Sequence, residues 1–397
     1  MIEVLRQLPL YFFAISFAFI SYTSLRISGP IGGGEVSLLI AFIMLLFYLR
    51  NQFQVLRLAD ILSVFWIILL LMLLGGYLSA VIKQLDMIGK SAHDFLSFIF
   101  CYMSYLSFTN LVKVHSLKRV LRFCVSFGFA SVIFLLITAF YSGDFLSLLL
   151  TRFHGFSKNP NQLALYALIL MYFSLCLFRL DDKSKWLSIG CFLLSFICGV
   201  LTKSDAFFLA VVMFIYSSLV LVTTRHIITR VSVWKKIFSW MFVICTTVGL
   251  LVFIGSLIAT LSDISSDGGQ GSIRFLLWEN GLEAMFTAPI FGVGPGAWSG
   301  LSYPLQGHEA HNTFIDFGNS FGLVGVFAYM FLLCHSSFYL LKSRSYTVFC
   351  LFWAISIFSV FHYVLRFPFV WVAIAIPAMF YSELKRTDSK VLSNPFI

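Results

Sequence analysis

The sequence has little charge. Of its 397 residues only 11% are Asp, Glu, Lys or Arg, and 60% are hydrophobic. A soluble domain carries roughly 25% charged residues, so this chain has too few to cover a surface facing water. Lipid must be its solvent, and residues 1–397 read as one membrane domain. Acidic residues are scarcer still, 17 against 27 basic ones. The resulting charge of +10 does not point to nucleic acid, because the basic residues come in small groups between apolar runs and form no patch with interleaved aromatics. The eight cysteines lie inside apolar runs and form no CxxC pair, so neither a disulfide framework nor a metal framework is indicated. Also missing are HExxH and the phosphate-binding P-loop. The first apolar run, from Leu8, has no small-residue cleavage site behind it and reads as a retained helix.

What the chain does have is long apolar runs. Spanning ~30 Å of hydrocarbon takes about 17–25 residues at ~1.5 Å each. Twelve runs are candidates: 8–25, 36–49, 58–82, 93–112, 120–142, 161–178, 186–201, 205–222, 237–260, 312–341, 346–364 and 368–382, the second and last short and 312–341 too long to be straight. Lys and Arg alternate between the connecting segments. Nineteen fall on the side of the N-terminus and eight on the other, while eleven of the 17 acids fall on that other side. This asymmetry predicts both termini in the cytoplasm. The expected fold is an all-α bundle of about 12 spans with one longer outer loop, 261–310, between spans nine and ten. Long loops in compact architectures are usually functional. This one opens on a turn-rich lead at Ser265–Gly271 and continues as a helix over 272–286, with Phe275, Trp278, Leu282, Met285 and Phe286 as its apolar side.

Four constellations on the outer side could carry chemistry. Arg152 and Lys158 stand beside Asn159, Asn161 and a helix start at Pro160, a suitable place for a phosphate; snorkelling toward headgroups is the plainer alternative. Arg274 heads the loop helix, where it could equally pair with Trp278 or Glu279. His308, Glu309 and His311 offer groups that exchange protons near neutral pH, just ahead of Asn312 and of Asp316, an ionisable residue one turn inside a span. Their spacing is poor for zinc, and a polar start to the helix competes. Lys203 and Asp205 occupy the turn after span seven, where Ser204 or Asp205 could cap the next helix. Glycines 292, 294 and 296 could form an anion nest, a weak signal by itself.

Several of these stretches resemble the O-antigen polymerase and O-antigen ligase superfamily, in that family's order. They are Gly155–Ala164 (Gly-Phe-Ser-Lys-Asn-Pro-Asn-Gln-Leu-Ala), Leu-Thr-Lys-Ser at 201–204, Ser272-Ile-Arg-Phe-Leu-Leu-Trp, Pro289-Ile-Phe-Gly-Val-Gly-Pro-Gly and His311-Asn-Thr-Phe. The likeness covers about 150–330. It implies a GT-C-like glycosyltransferase of the bacterial inner membrane, working at the periplasmic face on an undecaprenyl diphosphate-linked glycan, without metal or other cofactor. It implies that Arg152 and Arg274 sit near the diphosphate and His311 at the reacting centre. Lys158, Asn159, Asn161, Lys203, His308, Glu309, Asn312 and Asp316 are then expected to bind substrate. The partners implied are the lipid-linked glycan, membrane lipid, a chain-length regulator and a flippase, with no nucleic acid. The chain departs from the family at Ser204-Asp205, where relatives often show Ser-Arg, and Leu163 stands where an Arg-x10-Gly pattern from Arg152 would place glycine. The modest outer loop suits a polymerase better than a ligase, which hands glycan to lipid A–core. A transporter would hold its ionisable residues near the bilayer midplane on related halves, and neither is visible here.

Overall fold

Backbone N–H and C=O groups find no water inside a bilayer, so long apolar runs must satisfy them within helices. The computed structural model describes residues 2–49, 52, 61–83, 88–141, 151–228, 241, 244, 247, 270–300 and 305–392. Among these it has twelve α-helices and no strand: α1 Ile2–Phe19, α2 Gly33–Leu49, α3 Ile61–Ile82, α4 Ile88–His115, α5 Leu117–Tyr141, α6 Pro160–Leu180, α7 Lys185–Leu201, α8 Asp205–Ile228, α9 Gln270–Thr287, α10 Thr313–Lys342, α11 Tyr346–Val360 and α12 Pro368–Leu392. Six are long and apolar enough to cross a membrane: α3, α4, α5, α6, α7 with its lead from Asp182, and α10. Gly33–Leu49, Asp205–Leu221 and Tyr346–Val360 are apolar but shorter. Length and apolarity therefore support six crossings among the described residues, where twelve were expected. The ninth expected span, 237–260, and the turn-rich lead at 265–269 lie outside the described residues.

The helix α6 runs through the centre, with nearly every side chain from Leu163 to Leu177 buried, between α5, α7, α11 and α12. In lipid, apolar side chains gain little by leaving one another's company, so close fit and polar ties must hold the helices together. Both are present. Phe17 of α1 stacks on Phe173 of α6 with ring centroids 5.0 Å apart. Ser104 of α4 donates to the Pro368 carbonyl at 2.8 Å, and Ser336 of α10 to that of Ile374 at 2.9 Å. Tyr22, after α1, bonds Ser131 of α5 at 2.9 Å.

The long run at 312–341 is broken at Gly322, whose φ of 65° and ψ of −166° leave the helical region. The break frees backbone groups that buried structure must re-pair. The loop behind α9 supplies the partners. Leu323 N–H donates to the Pro289 carbonyl at 2.7 Å, Val324 N–H to that of Ile290 at 3.3 Å, and Val293 N–H returns a bond to the Asn319 carbonyl at 2.7 Å. A side chain at Gly322 would stand 2.3 Å from the Ile290 oxygen. The loop's far side is equally tight, because Gly294 lies against Gly76 of α3, and Ser91 of α4 donates to the Pro295 carbonyl at 2.6 Å. The glycine run at 292–296 is thus a strap across a broken helix. Val293 N–H is spent there and Gly292 N–H on the Ala288 carbonyl, so two donors of the anion-nest reading are already used.

The loop helix expected over 272–286 is α9, and only part of its apolar side faces the bundle. Leu277, Gly281 and Met285 are buried, Trp278 is half-buried, and Phe275, Leu282 and Phe286 are exposed. Gly281 decides the rotation, because its missing side chain lets α9 approach Ile315 of α10 closely.

Candidate active site

Four segments meet at one end of the bundle: the loop at 151–159 before α6, the helix α9, the loop at 305–312 before α10, and the loop at 361–367 between α11 and α12. Each is tied down locally. The first is bonded to the α1–α2 connection, with Thr23 Oγ accepting from Lys158 N–H at 2.9 Å and donating to Gln162 at 2.6 Å. On α9, Trp278 donates its indole N–H to the Ala310 carbonyl at 2.8 Å. The last loop is held by Thr313, whose hydroxyl donates to the His362 carbonyl at 2.6 Å and accepts from Val364 N–H at 3.1 Å. It is also held by Trp371, which donates to the Leu365 carbonyl at 2.7 Å.

The segment around His311 is clamped from both sides. Asn312 caps α10, its side-chain oxygen accepting from Phe314 N–H at 3.0 Å and Ile315 N–H at 3.3 Å. The Asp316 carboxylate turns back and accepts from Ala310 N–H at 2.9 Å and Asn312 N–H at 3.1 Å, the two residues flanking His311. Between those fixed points His311 takes a left-handed φ of 54°, a strained conformation for a residue bearing a side chain. Glu309 is held by Arg366, whose other nitrogen donates to Asp94 of α4 at 2.6 Å, and the guanidinium lies over the Tyr363 ring, 4.6 Å from its centre. One half-buried cation thus joins α4, the His311 loop and the α11–α12 loop.

Beyond this clamp stand the groups that remain uncommitted. The His311 ring faces His362 with ring centroids 6.3 Å apart. Burial lowers the His311 pKa, an effect that Glu309 opposes and that Arg274, Arg366 and His308 reinforce. His362 is pushed down to about 3 by burial and by the charges of Arg274, His311 and Arg152. Arg152 and Arg274 therefore bear on the same imidazole, and the structure brings Arg152, Arg274, His311 and His362 into one neighbourhood. Arg152 is oriented by Asn161, which accepts from it at 3.0 Å, and by the Thr202 carbonyl at 3.3 Å. Among the described residues neither Arg152 nor Arg274 forms an ion pair, whereas Arg26 pairs with Glu35, and Arg366 with Asp94 and Glu309.

The other expected site residues divide by what they bond. Asn159 caps α6, Asn312 caps α10, Glu309 belongs to Arg366 and Asp316 to the backbone around His311. These four shape the site rather than line it with open groups. His308 is exposed and its ring nitrogen bonds the Leu305 carbonyl at 3.1 Å; the Lys158 side chain is exposed. Lys203 is half-buried at a left-handed φ of 48°, in the turn whose Thr202 carbonyl holds Arg152. Among the described residues no three His, Cys, Asp or Glu side chains gather as metal ligands. Sequence reasoning passed over His362, Arg366 and Asp94. It ran span eleven through 364, but α11 stops at Val360. The signal lay in His362 and Arg366 standing between two apolar runs, just ahead of the helix-starting Pro368.

Apolar helices around a polar, cation-bearing end define an integral membrane protein with a site built from loops. Residues 190–330 match the family model described as O-antigen ligase. Over that stretch, about a third of its length, the chain is similar to the O-antigen ligase family. No curated protein matches it.

Proposed function

We propose that the chain is a GT-C-like transferase of the bacterial inner membrane that polymerises a surface glycan at the periplasmic face, from an undecaprenyl diphosphate-linked donor. One observation carries the reading. Two guanidinium groups that pair with no carboxylate among the described residues flank a pair of imidazoles that burial and positive charge keep neutral. Like charges gathered without counter-charge are costly in a bundle poor in ions, and an anion offsets that cost. A lipid diphosphate fits, since Arg presents a planar fork to phosphate oxygens. The outer placement of the site follows from the bias of Lys and Arg toward the other loops.

In the proposed step an acceptor hydroxyl oxygen attacks the anomeric carbon of the donor sugar. The bond from that carbon to the diphosphate oxygen breaks, and the lipid diphosphate leaves with the electron pair. Arg152 and Arg274 hold the charge that develops on it. His311, neutral and fixed by its clamp, takes the hydroxyl proton. Lys158, Asn161, Lys203 and His308 lie around the rim for contact with glycan and phosphate. Both termini are then cytoplasmic, and a flippase supplying donor and a chain-length regulator are the natural partners.

The description of the matching family model favours a second reading, in which the glycan passes to lipid A–core. Lipopolysaccharide from a deletion strain separates the two. Cores bearing a single repeat identify a polymerase, and bare core with polymer left on the lipid carrier identifies a ligase. Unaltered lipopolysaccharide and surface polysaccharide would overturn the transferase assignment.

A further inference from the structure

A cavity of about 600 Å³ lies between α3, α4, α10 and α12, at the end of the bundle away from His311. Asp94, which anchors Arg366, and Lys113, on the cavity's rim, are separated by roughly 28 Å along α4. The cavity therefore cannot belong to the site already described. Its volume is in the range of ligand pockets.

Its lining is graded along its length. Deep in the bundle the wall is Leu62, Leu106, Leu332, Ile374 and Ala375, with the Ser63–Tyr105 hydroxyl pair, 2.9 Å apart, beside them. Descending α4 the lining passes through Thr109 and Val112 to Lys113 and Ser116; descending α12 it passes through Ala378 and Met379 to Ser382, Glu383 and Arg386. Two walls thus change from apolar to charged over the same rise, roughly 16–18 Å on each helix, and Lys113 and Arg386 against the one carboxylate of Glu383 leave the mouth a single net positive charge. A water-filled vestibule has no need of an apolar stem, and a greasy void has no need of cations at its mouth. A molecule with an apolar tail and an anionic head matches both.

We propose that this cavity holds one anionic phospholipid from the leaflet at that end, its phosphate between Lys113 and Arg386 and an acyl chain along Leu106, Leu332 and Met379. The two cations supply attraction for an anionic headgroup, and hydroxyls at Ser116 and Ser382 stand at the same level for hydrogen bonds. Nothing in the proposal depends on the reaction at the other end.

The test uses the full chain in nanodiscs of phosphatidylcholine doped with phosphatidylglycerol, followed by extraction into neutral detergent and native mass spectrometry. One phosphatidylglycerol should remain per chain, preferred over phosphatidylcholine by roughly 5-fold, as one net membrane-surface positive charge would give. Lys113→Gln with Arg386→Gln should abolish the preference. Ala378→Trp should expel the lipid while leaving both charges in place, so the idea stays exposed to failure even if the double variant misfolds. Equal retention of the two lipids, or retention unchanged by Ala378→Trp, overturns the proposal. So does a rise in melting temperature with millimolar inorganic phosphate equal to that with phosphatidylglycerol, which would assign the anion site to soluble phosphate instead.

Discussion

The bundle has an ionic cluster at each end, and the two are built on opposite plans. At the end away from His311, the carboxylate of Asp181 is buried beneath two half-exposed cations, Lys118 at 2.8 Å and Arg122 at 2.5 Å, with Ser184 donating to it as well. It ties α5 to the α6–α7 turn. At the His311 end the shared member is a cation, Arg366, half-buried between the deeper carboxylates of Asp94 and Glu309, and it adjoins a histidine held at positive φ. The first cluster spends its charges on one another and on water. The second uses its charges to fix a loop, while Arg152 and Arg274 next to it form no ion pair among the described residues. A fold needs the first arrangement. Holding unpaired cations beside strained backbone makes sense only where something binds.

The sharpest way to break this contrast is to remove the shared member of each cluster. Arg366→Gln leaves two buried carboxylates without a counter-charge and should cost about 3–5 kcal/mol. Asp181→Asn should cost clearly less, because Lys118 and Arg122 regain water. Unfolding followed in detergent measures both, and equal losses would mean that the two clusters are equivalent staples.

Function and stability should then come apart at His311. Glycine adopts its backbone conformation freely, so His311→Gly should leave the fold as stable or more so, by about 1 kcal/mol. Removing a proton acceptor should lower glycan transfer roughly 10²–10⁴-fold. A variant that retains normal turnover would exclude His311 as the base. A smaller effect is expected at Arg274→Lys, where the charge persists but the fork is lost. Turnover should drop about tenfold or more, against no change for Lys83→Ala at an exposed position outside the cluster. Equal activity in these two would remove Arg274 from the diphosphate.

How much of this could be read beforehand depended on range. Helix placement was legible because apolar runs and their polar ends are local signals, and α2 through α8 fall close to the expected runs. The face of α9 was not legible, since the single missing side chain at Gly281 outweighs the bulk of Phe275 and Phe286. Nor was the break at Gly322, which depends on a strap of chain from 289–293 arriving to accept its hydrogen bonds. In the site, Arg152, Arg274 and His311 could be picked from their rarity and setting. Glu309 and Asp316 were taken for open groups because the sequence does not show that Arg366 and the backbone around His311 would occupy them. Asp94 and Arg366 lie far apart in the chain, and only the fold makes them neighbours.

The smallest effect concerns pH, and it separates the two ends by the pH window in which stability is lost. His311 and His362 are both depressed in the folded protein, His362 to about 3, whereas an unfolded histidine titrates near 6.5. Below about pH 6.5 the unfolded chain therefore binds protons that the folded one refuses, and stability falls as the pH falls. The loss is at most about 1.4 kcal/mol per pH unit for each histidine, less where water reaches the ring. His362→Phe should flatten part of that slope in melting curves between pH 7 and 5, and Asp181→Asn should leave it unchanged, because a carboxylate at that end titrates lower. An anion between Arg152 and Arg274 should oppose the depression. Pyrophosphate added to the protein should therefore raise the histidine titration seen by NMR, and should fail to do so in Arg274→Gln. If the histidines titrate identically with and without pyrophosphate, the two unpaired guanidinium groups do not form a diphosphate site.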